Sequence, residues 1–289
     1  MYPSGKFYYR YSGRSPKIRL WPIGDMHFGN RGFAEDHFRC DMKAIEQDPH
    51  SMVIGMGDYA DFVGINDKRF DPAVFPDDMR VKDLGDLSHY YGEKIKELFW
   101  RVRGKCIGLM EGNHEHTFKV KQEQHKMVEW MCHELGVPYL GYSCMFHLVL
   151  CGNNNSRLPV GLWPGSPPRD ETGHRWPITV FCHHGAGAPG TAGGKMNRLV
   201  KFMNDFVSDL VLTAHNHDPL PKRIPRLSLD AKGEHVKEKL QYGLVAGSYL
   251  RGYAEGEPGY VEIKGLTPVT LGAVPINLYP AQQRISSEV

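Results

Sequence analysis

Apolar residues in this chain fall into short unbroken runs, separated by stretches in which they recur every three or four positions. The runs at 18–23, 52–56, 105–110, 144–151, 178–182 and 209–213 predict buried strands. Phe38, Met42 and Ile45 share one face of a predicted helix over 34–47. Leu84, Leu87, Tyr91, Ile95 and Leu98 mark a second helix that ends before Gly104. Val128, Met131 and Leu135 mark a third, stopped by Gly136, and Met196, Leu199, Val200 and Met203 a fourth, preceded by Gly193-Gly194. Strand, helix, strand in succession is the pattern of a partly parallel sheet. Residues 1–16 are aromatic and polar and predict an irregular arm or an edge strand. The stretches 62–80 and 152–177 have no period and predict long loops beside a cleft, the second a lid whose Trp163 and Trp176 could stack on a ligand. From about 219 onward only short β-like runs appear, at 244–246, 260–263 and 269–274.

Five of the apolar runs end in ligand-type residues: Asp25 with His27, Asp58, Asn113 with His114, His183, and His215 with His217. Any one of these is a common way to end a strand. Turn chemistry, however, calls for Gly, Pro, Asn and Ser and has no use for histidine. In open α/β sheets the carboxyl ends of strands are where ligands bind. Carboxylate, imidazole and amide oxygen without thiolate suit manganese, zinc or iron. Such a set exceeds the four ligands of a tetrahedral ion, whereas two ions sharing a carboxylate account for it.

Composition narrows the picture further. Lys and Arg number 35 and Asp and Glu 33, a formal net charge of +2, which does not by itself announce a nucleic-acid binder. With 289 residues, 41% of them hydrophobic, the chain can bury one large core. Six cysteines stand at 40, 106, 132, 144, 151 and 182, none in a C-x-x-C pair, so they predict reduced and mostly buried thiols. The amino terminus carries no apolar h-region and no run approaches a membrane span, so the expected compartment is the cytoplasm. Fifteen histidines are present. Most, such as His37, His50, His89 and His235, predict ordinary surface or core polar groups.

The ordered series Gly24-Asp25-Met26-His27, Gly57-Asp58-Tyr59-Ala60-Asp61, Gly112-Asn113-His114-Glu115, His183 and His215-Asn216-His217 resembles the calcineurin-like metallophosphoesterases. The resemblance covers about residues 18–220. It implies a four-layer α/β/β/α sandwich with mixed sheets in a single domain over 1–289. The β-rich part at 221–280 would belong to the second sheet and 281–289 would be a tail. It also implies a binuclear centre of two divalent ions, manganese first, with zinc, iron, nickel or magnesium as alternatives. Asp25, His27, Asp58 and His217 would hold one ion; Asp58, Asn113, His183 and His215 the other. Between the adjacent His183 and His184, the first after the apolar run is the expected ligand. The block that begins Gly-His in the family begins Ala214-His215 here.

The chemistry implied is attack on phosphorus by a hydroxide held between the ions at Asp58. His114 would protonate the leaving oxygen or hydrogen-bond to the phosphate, oriented by Asp25. Asp61 and Glu115 would fix a loop or a ligand, and His184, His116 and Arg251 could touch substrate. A phosphodiesterase is the first reading. A DNA exonuclease or endonuclease of the repair type is the alternative, on the strength of Lys195, Arg198, Lys201, Lys222, Arg223 and Arg226. A phosphomonoesterase and a non-catalytic scaffold are further alternatives. The partner expected is a phosphoester substrate, with nucleic acid as one form of it and no membrane.

Overall fold

A computed structural model describes residues 2–63, 79–122, 126–153, 160–164, 174–187, 189–253, 262, 265 and 267–288. In chain order its strands are β1 (Tyr2–Ser12), β2 (Ile18–Ile23), β3 (Ser51–Gly55), β4 (Cys106–Met110), β5 (Tyr139–Gly141), β6 (Ser143–Asn153), β7 (Gly161–Pro164), β8 (Arg175–His183), β9 (Leu210–Thr213), β10 (Leu220–Leu229), β11 (Val236–Val245), β12 (Ile276–Tyr279) and β13 (Arg284–Ser287). The α-helices are α1 (Glu35–Gln47), α2 (Leu87–Phe99), α3 (Asn113–Gln122), α4 (Met127–Leu135) and α5 (Ala192–Asp205).

The strands form two mixed sheets, one ordered β13-β12-β2-β3-β4-β5 and one ordered β10-β11-β9-β8-β6-β1-β7. Strands β3 and β4 are buried at every position, because each is covered on both faces. Leu20, Ile54 and Ile107 of the first sheet meet Leu148, Ile178, Leu212 and Leu244 of the second in one shared core. On the outer face of the first sheet, α1, α2 and α4 lay down Phe38, Ile45, Tyr91, Ile95, Met131 and Leu135. Each such side chain contributes about 1.5–3 kcal/mol by leaving water. On the outer face of the second sheet α5 covers Phe181, Val211 and Val245 with Leu199 and Met203. The result is a four-layer α/β/β/α sandwich with mixed sheets.

Local signals set the helix ends. Asp86 caps α2 by accepting from the His89 amide, and Thr191 caps α5 by accepting from Gly194, so Gly193 and Gly194 lie inside the first turn of α5 rather than ahead of it. Gly136 ends α4 at φ 68°. None of the helices described is long and apolar enough to cross a membrane.

Four expectations are corrected here. Residues 2–12 form neither an arm nor an edge. They make β1, which lies between β6 and β7 and buries Phe7, Tyr9 and Tyr11 in the core between the sheets. The stretch 152–177 contains β7, and Trp176 is buried in that core, so Trp176 cannot stack on a ligand. Trp163 instead receives the Arg10 guanidinium over its ring at 4.9 Å. The end of the chain returns to the first sheet: β12 pairs antiparallel with β2, and β13, inside the expected tail, pairs with β12. Finally, 269–274 is not a strand; it touches the fold through a bridge from Leu271 to Ser248. Most of 62–80, and 260–263 except for residue 262, lie outside the described residues.

Candidate metal centre

The strands β2, β3, β4, β8 and β9 run out at one edge of the sandwich, and the turns that follow them carry the candidate ligands. These turns are strained. Asp25, His27, Asp58, His215 and His217 all adopt positive φ, between 48° and 69°. Side chains with a Cβ avoid this region, so the surrounding contacts must enforce it. A ladder of backbone bonds does so: Asp25 donates to the Gly57 carbonyl (2.9 Å), Met26 and His27 to that of Asp58 (2.9 and 3.1 Å), and Phe28 to that of Tyr59 (2.8 Å). The loop after β3 also presses against the loop after β4. A Cβ on Gly57 would fall 2.5 Å from the Gly112 nitrogen, so only glycine fits.

Glu115, in the first turn of α3, ties these loops together from beneath. It is 4% exposed. One carboxylate oxygen accepts from the amides of Tyr59 (2.6 Å) and Ala60 (3.3 Å), the other from those of Asp58 (3.0 Å) and Gly112 (2.9 Å). Burial pushes its pKa up, to about 7, with the charge of Asp58 adding to the effect. The Asp58 carboxylate in turn accepts from the His114 amide at the start of α3 through Oδ1 (2.9 Å), leaving Oδ2 to face the histidines. Burial works against its charge, but His184 and the other imidazoles hold it well below the usual carboxylate range.

The donors converge in three overlapping groups whose ligand atoms lie within 4.8 Å of one another: Asp25, His27 and His217; His27, Asp58 and His114; and Asp58, His184 and His215. Asp58 and His27 link them. Asn113 joins the third group, with Oδ1 3.1 Å from His184 Nε2. Turned over, the same amide would place its nitrogen 2.6 Å from His215 Nδ1 and 3.1 Å from Asp58 Oδ2. The residues fit cations. Asp25 Oδ1 is buried with no hydrogen-bond partner, 3.5 Å from His217 Nε2. His27 and His217 point their Nε2 atoms at each other across 3.2 Å. Lone pairs gathered in this way without enough protons to satisfy them are what a metal ion requires.

His183 is corrected as a ligand, because the structure turns it away. Its ring stacks on Phe202 of α5 at 4.7 Å and its Nδ1 accepts from the Gly185 amide (2.8 Å). Burial, with the neighbouring His184 and His215, pushes its pKa down to about 4. His184 takes the place instead. It is fully buried, with Nε2 3.2 Å from Asp58 Oδ2 and Nδ1 2.7 Å from the Met56 carbonyl. Such a bond at Nδ1 fixes the tautomer and leaves Nε2 for a ligand role. Burial opposes its charge, yet Asp58 and then Asp25 raise it to about 10. A side chain with no exposed surface cannot touch substrate, so the substrate role expected of His184 is also withdrawn.

His114 stands at the rim with 23% of its side chain exposed. Asp61 orients it, Oδ1 lying 3.1 Å from His114 Nδ1; Asp25 does not. Burial opposes its charge, but the Asp61 contact and then Asp58 raise its pKa to about 9. The same Asp61 oxygen lies 3.3 Å from His27 Nδ1, and its second oxygen accepts from Asn30 (2.7 Å). His116 is half exposed beside the site, its ring against that of Tyr142. Arg251 is turned outward and pairs with Asp36 at 2.5 Å, so it is not poised for phosphate.

Four contributors went unread in the sequence. Tyr142 places its ring between His183 and His184 and donates to the Gly185 carbonyl (2.9 Å). Ser248 and Tyr249 both donate to the Asp25 carbonyl (3.0 Å each), and Asn30 steadies Asp61. The Gly141-Tyr142 turn between two strands was the available signal for the first.

No protein-family model and no curated protein matches the sequence. Among solved structures the chain is similar to a single-residue variant of Vps29 from Entamoeba histolytica, with 10% identity, coverage of 94% of this chain and 97% of that one, and a TM-score of 0.29. It is likewise similar to vacuolar protein sorting 29 from Cryptosporidium parvum, with 13% identity, coverage of 94% and 96%, and a TM-score of 0.33.

Proposed function

We propose that this chain is a metal-dependent phosphoesterase of the calcineurin-like kind, acting on phosphodiesters. One observation carries the reading: donor groups around Asp58 form two neighbouring cation cradles, with a histidine of raised pKa at their rim. Asp25, His27, Asp58 and His217 would hold one ion, and Asp58, Asn113, His184 and His215 the other. When bound, such a pair supplies charge neutralisation on phosphoryl oxygens and acidifies a water.

The protein's own groups do the rest. Burial opposes the charge of His114, but Asp61 and then Asp58 raise its pKa and favour its protonated form, and Asp61 on Nδ1 would leave Nε2 free to hand a proton to the leaving oxygen. Asp61 sets the angle of both His114 and His27, so it couples the proton donor to the cradle. Glu115 keeps the Asp58 turn in its strained form. The engagement of Arg251 by Asp36 removes an arginine fork of the kind that grips a doubly charged monoester, which favours the singly charged diester.

The nuclease alternative finds less support than in the sequence. Lys201 pairs with Asp205, Lys195 with Asp218 (3.4 Å), and Arg226 donates to the Met203 carbonyl and Gln241. The test is turnover of bis-p-nitrophenyl phosphate with manganese, zinc, nickel or magnesium. Activity with at least one ion is expected, reduced about 10²–10⁴-fold in His114→Gln with metal content unchanged. No turnover with any ion would overturn the reading in favour of a scaffold.

A further inference from the structure

The second sheet does not stop where its partner stops. Strand β11 pairs with β9 only from Tyr242 to Val245; from Val236 to Gln241 the one strand beside it among the described residues is β10, while on the α5 side Gln241 donates to the Phe206 carbonyl (3.4 Å) and Lys239 pairs with Asp209. This overhang of six residues runs about 20 Å beyond its last pairing with β9, toward the end away from the metal centre. Its two faces differ. Register places Pro221, Arg223, Pro225, Leu227 and Leu229 of β10 on the same face as Val236, Glu238, Leu240, Tyr242 and Leu244 of β11. Tyr242 and Leu244 belong to the core between the sheets, so this face is a direct continuation of that interior. The Tyr242 hydroxyl meets Ser287 of β13 at 2.5 Å, the outermost contact described between this hairpin and the first sheet.

Beyond that contact, the interior face is exposed among the described residues. Leu227, Leu229, Val236 and Leu240 are 69%, 66%, 67% and 52% exposed. They are four of the eight large hydrophobics exposed among the described residues. Together they present roughly 500 Å² of apolar surface, at the upper end of what a monomer shows in one patch.

We propose that this face docks against the same face of a second copy of the chain, forming a two-fold dimer. Three features select that occupant. First, an overhanging half-sandwich lacks one opposing layer, and a second hairpin laid face to face supplies it at the spacing of packed sheets. Second, the face is self-complementary in charge: it carries one cation, Arg223, at its base and one anion, Glu238, amid the leucines. A two-fold axis between them sets each Glu238 against the partner's Arg223. A lipid surface would instead have to bury Glu238. Third, Pro221 and Pro225 interrupt the free edge of β10, and a proline offers no N–H to an added strand, so the contact is through the face and not the edge. A standard interface needs ~800 Å² per partner, of which this apolar patch would form the centre.

Sedimentation equilibrium of the full chain across the micromolar range tests the proposal. A reversible dimer is expected. Leu227→Glu combined with Leu229→Gln should weaken it about 100-fold or more, with unchanged circular dichroism and metal-dependent stabilisation. Arg223→Glu alone should weaken it about tenfold, and adding Glu238→Arg should restore it. A wild-type chain monomeric throughout the range overturns the proposal, as does a dimer that the leucine substitutions leave intact. Monomeric chain that floats with phosphatidylserine vesicles, and loses this in the leucine variant, overturns it in favour of a lipid surface.

Discussion

Glu115 offers the sharpest perturbation, because its work can be counted. It touches no candidate ligand atom, yet four buried backbone amides, those of Asp58, Tyr59, Ala60 and Gly112, donate to its two oxygens. Glu115→Ala removes all four acceptors at once. An unpaired buried donor costs about 1–3 kcal/mol. Local relaxation and an entering water favour the low end, so the sum is about 4 kcal/mol. Native domains hold about 5–15 kcal/mol in total, so the variant stands near the edge of folding. Glu115→Gln keeps one oxygen and sets an amide NH₂ against two N–H groups. It should cost about 2–3 kcal/mol. Because the loss falls on the turn that fixes Asp58 at φ 52°, both variants should also need more manganese to reach half-maximal thermal stabilisation. Urea unfolding of the metal-free protein gives the first quantity and a manganese titration followed by melting the second. Glu115→Gln within about 0.5 kcal/mol of wild type would refute the reasoning, since a surface substitution costs no more.

Substitution at the paired histidines should separate them: His184→Asn is expected to drop bound manganese from two ions to one by elemental analysis, and His183→Asn to keep both. In the metal-free protein, burial opposes the charge of His184 and His114, but Asp58 and the Asp61 contact respectively let them hold protons up to about 10 and about 9. Their contribution to metal-free stability is therefore complete below about pH 6.5 and is lost as pH rises through those values. His184, the ligand of the two, must lose its proton to bind metal, so metal affinity should climb from about pH 6.5 toward 10, with proton release visible as a buffer-dependent binding enthalpy; an affinity flat from pH 6.5 to 9 would contradict it. Gly57→Ala, which adds a Cβ 2.5 Å from the Gly112 nitrogen at φ 93°, should destabilise by about 2 kcal/mol or more by urea unfolding, and Gly85→Ala, where nothing lies within 4 Å, should not.

How far the fold could be read in advance depended on what surrounds each segment. Strands β3, β4 and β9 are covered on both faces, and such strands write themselves as unbroken apolar runs. β1 is also interior, but it is built from tyrosines and one arginine whose polar ends find partners: Tyr9 donates to the Pro49 carbonyl and Arg10 lies over Trp163. Its composition therefore imitates an exposed arm. The hairpin of β10 and β11 was read only in part, as a short run at 244–246 within a β-rich part of the second sheet. One face of its outer half is exposed and the other carries Arg226, Lys239 and Gln241 in polar contacts with residues 203–209, so no core imposes an apolar run on its sequence. The metal centre was legible as a set of residue types at strand ends, while its support was not. Four amides held by Glu115 and two donors on the Asp25 carbonyl are backbone events that leave no mark on composition.

The exchange of His183 for His184 has a different cause, and the sequence contained the means to avoid it. Strand β8 alternates strictly: Ile178, Val180 and Cys182 point into the core between the sheets, and Phe181 points to α5. His183 is still in the strand, paired with Ser143 and Thr213, and so inherits the face of Phe181, where it stacks on Phe202. The inward face falls next at 184. The ligand was expected at the first polar residue after the apolar run, a rule of proximity. The fold obeys a rule of parity, because a side chain one position along a strand points to the other face of the sheet whatever chemistry it carries.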